Sequence, residues 1–62
     1  MITDSNIKRG ETVQTITKPY KFYTYLGPSQ LDKECFIAEE DDTNVIHDDL
    51  LRKEFIPWDQ TS

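Results

Sequence analysis

Turn-forming residues cut this chain into pieces too short for a helical bundle. They fall at Gly10, Pro19, Gly27-Pro28, the Asp41-Asp42-Thr43-Asn44 cluster and Pro57. The stretches between them run to roughly five to ten residues, the length of strands rather than of bundled helices. A chain of 62 residues is one small domain. At that size only about 60% of the unfolded chain's surface is buried on folding. The core then supplies roughly 3–5 kcal/mol, so a deep catalytic cleft walled by the chain's own residues is not expected.

Each piece has a local character. Glu11 to Lys18 holds Thr12, Val13, Thr15, Ile16 and Thr17, β-branched residues that suit a pleated surface and make poor helices. Val13 and Ile16 differ in parity, which a bulge or an edge position would accommodate. Pro19 marks a strand end or bend. Tyr20 to Leu26 is the clearest strand. Tyr20, Phe22, Thr24 and Leu26 share one face; Lys21, Tyr23 and Tyr25 share the other. One face is expected in the core, and the tyrosine face is apolar for a solvent-facing surface. Gly27-Pro28-Ser29 carries the turn chemistry that ends this strand.

Glu34 to Glu39, with four consecutive apolar residues from Cys35 to Ala38, predicts a short buried strand. The run Glu39-Glu40-Asp41-Asp42 leads into Thr43-Asn44 as a hairpin tip, because Asp and Asn tolerate left-handed backbone. Val45-Ile46-His47 is the return strand. Asp48 or Asp49 is placed to cap a short helix through Phe55, with 3₁₀ geometry over part of its length an equal alternative. Leu51 and Phe55 would share its face, and Pro57 would stop it. Trp58 is expected to pack back onto the domain.

Cys35 is the only cysteine, so no internal disulfide framework exists and a reducing, cytoplasmic location is expected. No apolar run approaches the 18 or so residues that span a bilayer, and the first residues lack the basic and apolar regions of a signal peptide. The net charge is −5, unevenly spread. Residues 1–29 carry +2 and residues 30–62 carry −7. That balance opposes non-specific binding to polyanions.

The order of these pieces resembles a small SH3-like β-barrel, over roughly residues 7–56. Ile7-Lys8-Arg9-Gly10-Glu11-Thr12-Val13 is similar to the opening of many such barrels. Tyr25-Leu26-Gly27-Pro28 is similar to their second strand entering its turn. Cys35 to Glu39, the acidic tip, Val45-Ile46-His47 and Asp48-Asp49-Leu50-Leu51 are similar to the closing hairpin and its helical turn. The resemblance implies a mainly β fold: a small SH3-like antiparallel barrel with a short C-terminal helical turn. Residues 1–6 would be a flexible N-terminus and 57–62 a tail. The style of the chain also resembles uncharacterised small bacteriophage proteins. Peptide-binding SH3 domains carry an Ala-Leu-Tyr-Asp-Tyr-like run and paired tryptophans, neither of which is here, so polyproline binding is not implied. The acidic balance likewise argues against the RNA binding of basic barrels of this shape.

Catalytic and metal chemistry find little support. Cys35 and His47 would be the thiol–imidazole candidates, but a cysteine inside an apolar strand is usually an inert small hydrophobe. Two distant glycines make no phosphate cradle. His47 with Asp48, Asp49 or the Glu39–Asp42 run matches no zinc or calcium spacing. No catalytic residue, metal or cofactor is assigned. The expected function is macromolecule binding, most simply as a protein-binding adaptor or inhibitor. Glu39, Glu40, Asp41 and Asp42 would steer a basic partner, and Tyr23 and Tyr25 would serve as anchors. The plainer alternative is that the tyrosines cover a second layer of a small core and the acids confer solubility. A homodimer through the tyrosine face belongs to the same class. Two further readings are a DNA-mimicking inhibitor and a weak single-strand binder on Lys18, Lys21, Tyr23 and Tyr25.

Overall fold

The computed structural model describes residues 7–58. Five strands, β1 (Thr12–Thr15), β2 (Phe22–Pro28), β3 (Cys35–Glu40), β4 (Ile46–Leu51) and β5 (Phe55–Pro57), form one antiparallel sheet in the order β4-β3-β2-β1-β5. A 3₁₀ turn, Arg52–Glu54, joins β4 to β5. The mainly β class expected from the β-branched and turn residues is what the chain adopts.

The sheet curls over its own core. In the strand order β3 and β5 stand three places apart, which would be about 14 Å in a flat sheet. Yet the Phe36 and Phe55 rings meet edge to face at 5.3 Å. Tyr23 also meets Phe55 at 5.1 Å, and Tyr25 meets Phe36 at 5.5 Å. With Ile7, Val13 and Ala38 these rings make the core, and Leu50 packs against it. Edge-to-face contacts set the positive rim of one ring against the negative face of the next, adding to what burial contributes.

Register decides which side of each strand is inside. Val13 is fully buried between the polar Thr12 and Gln14, and it stands opposite Tyr23. Directly opposed residues share a face, so Tyr23, and Tyr25 two residues on, must point inward. They are only 7% and 3% exposed, while Phe22 is 39% exposed. The tyrosine face is therefore the core face, and Tyr20 and Phe22 point outward. Tyr23 and Tyr25 are core residues in this fold, not surface anchors, and the small-core alternative is the one that describes them.

Several boundaries differ from expectation. β1 ends at Thr15, not Lys18. There the Thr15 hydroxyl donates to the Thr17 carbonyl at 3.1 Å and accepts from the Lys21 N–H at 3.0 Å, drawing the chain into a bend. Ile16 thus falls outside the ladder, which removes its parity conflict without a bulge. β2 begins at Phe22 rather than Tyr20 and runs on to Pro28. The bulge lies there instead, between Tyr25 and Gly27 in the pairing with β3. Gly27 adopts φ +128, open to glycine and strained for other residues.

The predicted capped helix is not formed. Asp48 and Asp49 continue β4, and Leu50 and Leu51 pair with Phe36 and Cys35. The Ser29 hydroxyl donates to the Asp48 carboxylate at 2.9 Å, so this side chain caps no helix. Among the described residues only Arg52–Glu54 is helical, and its first residue follows Leu51 with no side-chain cap. Leu51 and Phe55 lie on different strands rather than one helix face. Pro57 ends a strand, β5, that local patterning did not reveal. The expected N-terminal segment 1–6 and the last four residues of the tail lie outside the described residues.

Candidate functional site

The hairpin of β3 and β4 carries the acidic run, and the fold sends its four carboxylates in different directions. Asn44 at the tip adopts φ 57, the left-handed backbone anticipated for such a turn. Its N–H donates to the Glu40 carbonyl at 2.7 Å, and the Glu40 N–H donates to the Val45 carbonyl at 2.8 Å. Glu39 lies on the outer face, opposite Thr24 on one side and Ile46 on the other. Glu40 turns to the inner side, where its carboxylate meets His47 Nε2 at 3.0 Å and both groups are partly shielded. Asp41 accepts a hydrogen bond from the Thr24 hydroxyl at 2.9 Å. Asp42 is exposed. Glu39, Asp41 and Asp42 thus form the accessible acids, while Glu40 belongs to an internal pair.

That pair reaches the core. The His47 ring stands edge to face with Tyr23 at 5.8 Å. Burial, and then the Glu40 charge, hold the Tyr23 hydroxyl above its ordinary value of 10.0.

Cys35 and His47 are not brought together. Cys35 pairs with Leu51 and His47 with Ala38, three residues apart along β3, or roughly 10 Å at strand rise. Burial, with the Asp32, Asp49 and Glu34 charges after it, pushes the Cys35 thiol above 9.0 against the smaller opposing effect of Arg52. A thiol held protonated is a poor nucleophile. Among the described residues no His, Cys, Asp and Glu group is arranged to hold a metal ion. No helix among them is long and apolar enough to cross a membrane.

The outer face carries residues that sequence reasoning missed. Gln14 stands opposite Phe22 on one side and Ile56 on the other, so these three make one row across β5, β1 and β2. The Trp58 N–H donates to the Thr12 carbonyl at 3.0 Å, extending the neighbouring row. The Trp58 and Phe22 rings meet edge to face at 6.0 Å. Phe22, Ile56 and Trp58 are 39%, 37% and 42% exposed. The expectation that Trp58 packs back holds through Phe22, on the outside of the sheet rather than against the core. The patch borders the acidic tip directly, because the Asp41 N–H donates to the Phe22 carbonyl at 3.2 Å. The available signal was Val13: one buried aliphatic between two polar neighbours fixes the parity of β1, and through it that of β2.

Comparison with protein-family models, with curated proteins and with solved structures returns no match.

Proposed function

We propose that this chain is a non-enzymatic protein-binding module, an adaptor or inhibitor, acting in the cytoplasm through its outer sheet face and acidic hairpin tip. The carrying observation is the join between Phe22, Ile56 and Trp58 and the carboxylates of Glu39, Asp41 and Asp42. Aromatic residues at the centre of a patch with charges at its rim are the usual composition of a protein interface. The partner would present an apolar patch rimmed by basic residues, and the −7 of residues 30–62 would speed its approach. Phe22, Ile56 and Trp58 serve as the anchors, since Tyr23 and Tyr25 lie in the core. The continuous β1–β4 order, with a 3₁₀ turn before a last strand returning to β1, supports reading the curled sheet as a small SH3-like barrel.

Affinity capture from the source organism's lysate tests the reading, with Phe22→Ser and the Glu39→Lys/Asp42→Lys pair as variants. A saturable protein partner lost by both, while amide dispersion is retained, is the expected result. A partner held equally by both variants rules the surface out. Light scattering on the free chain shows whether the patch is instead covered by a second copy.

A further inference from the structure

The sheet leaves a gap between its two edges. A cleft of about 270 Å³ is lined by Thr15, Ile16, Thr17, Leu50, Glu54 and Phe55. Leu50 comes from edge strand β4 and Phe55 from edge strand β5, and both also touch the core. Among the described residues no strand pairs with the outer side of β4. The other edge is shorter, since β5 has three residues and ends in Pro57, which has no N–H to donate. β4, with six residues, is the longer open edge, with its Asp48 carbonyl alone taken by the Ser29 hydroxyl at 3.2 Å among the bonds described.

The charge around β4 selects what can add to it. Eight of the twelve acids lie between Asp32 and Asp49, on β3, β4 and their ends, and Glu54 lines the cleft. Lys33, Arg52 and Lys53 flank β3 and β4, and the exposed Lys18 and Lys21 flank the Thr15–Thr17 wall of the cleft. Lys33 and Lys53 are exposed, and the Arg52 Nε–H is turned to the Cys35 carbonyl at 3.2 Å. Acids outnumber them. A second copy paired through the same edge would set Asp48 and Asp49 against their own counterparts, and like charges directly opposed destabilise a strand pair. An extended segment rich in lysine or arginine meets the opposite sign.

We propose that the outer edge of β4 accepts an extended basic segment of another protein as a sixth strand, one apolar side chain seated between Ile16, Leu50 and Phe55. Main-chain hydrogen bonds supply affinity in strand addition, and alternate side chains supply selectivity. This surface is separate from the outer face and does not depend on it.

The test uses the full nitrogen-15-labelled chain and a capped hexapeptide alternating lysine and valine. Saturable amide shifts and slowed hydrogen exchange centred on Ile46–Leu51 are expected. N-methylating alternate residues of the peptide keeps its charge and side chains but removes one edge of its ladder, and should weaken binding by about tenfold or more. Asp49→Lys, at an exposed carboxylate, should weaken it comparably, whereas Phe22→Ser should leave it unchanged. A glutamate–valine peptide should not bind. Equal binding by the N-methylated or the glutamate peptide overturns the proposal. So do shifts centred on Phe22 and Trp58, or no shift at millimolar peptide.

Discussion

The two faces of β2 carry similar side chains and meet opposite fates. Tyr23 and Tyr25 are buried against Phe36 and Phe55; Phe22, one residue away, stands outside with Trp58 against it. Aromatic content alone does not tell core from interface. What separates them is the curl of the sheet, which closes one face on itself and leaves the other to solvent.

The sharpest way to break this contrast is to empty the inner face. Phe36 is fully buried, and truncating such a ring to alanine costs about 3–5 kcal/mol. That equals the roughly 3–5 kcal/mol a core of this size supplies. Phe36→Ala is therefore expected to abolish cooperative thermal unfolding and collapse amide dispersion.

Alkali attacks buried side chains on both sides of the sheet, since Cys35 points away from its neighbour Phe36. The Cys35 thiol and Tyr23 hydroxyl are both held above their ordinary 9.0 and 10.0 in the folded chain. Above pH 9 the unfolded chain therefore binds fewer protons than the folded one, and stability falls as pH rises. Stability should be flat in this respect below pH 9 and decline through the folded values. Denaturant midpoints from pH 7 to 11 read this, and Cys35→Ala should remove the first part of the decline. A midpoint that rises with alkali contradicts the burial of both groups.

On the outer face the expected effect is small for stability. Phe22→Ser is expected to shift unfolding by no more than about 1 kcal/mol, losing one ring contact and part of an exposed side chain's burial. Cooperative unfolding lost in this variant would erase the contrast between the faces. The smallest change is Glu40→Gln. Its pair with His47 is partly exposed, so solvent screening limits it to less than about 1 kcal/mol. Its clearer signature is a shallower stability loss above pH 10, because the charge helping to raise Tyr23 is gone.

Much of the architecture was legible in local chemistry. Asn44 at the acidic tip, the apolar run from Cys35 to Ala38 and the β-branched residues of β1 each pointed to the structure they adopt. The site was less legible, because its residues are assembled by pairing across strands. Glu39 and Glu40 are neighbours in the chain, yet one faces Thr24 on the outside and the other reaches His47 on the inside. The same limit explains the failed helix. Asp48-Asp49 ahead of two leucines is a sound local start signal, but an apolar strand beside it offered Leu50 and Leu51 a ladder in Phe36 and Cys35.

The order of residues by itself determined a chain of short strands, a lone thiol and an acidic second half, since these follow from side-chain shape, backbone freedom and charge. Only the folded sheet decided that two tyrosines would be interior, that Phe22 and Trp58 would meet outside, and that β4 would present an open edge. Each of these depends on which strand lies opposite which. That pairing is settled by burying one shared face across residues distant in the chain, where local preference has no reach.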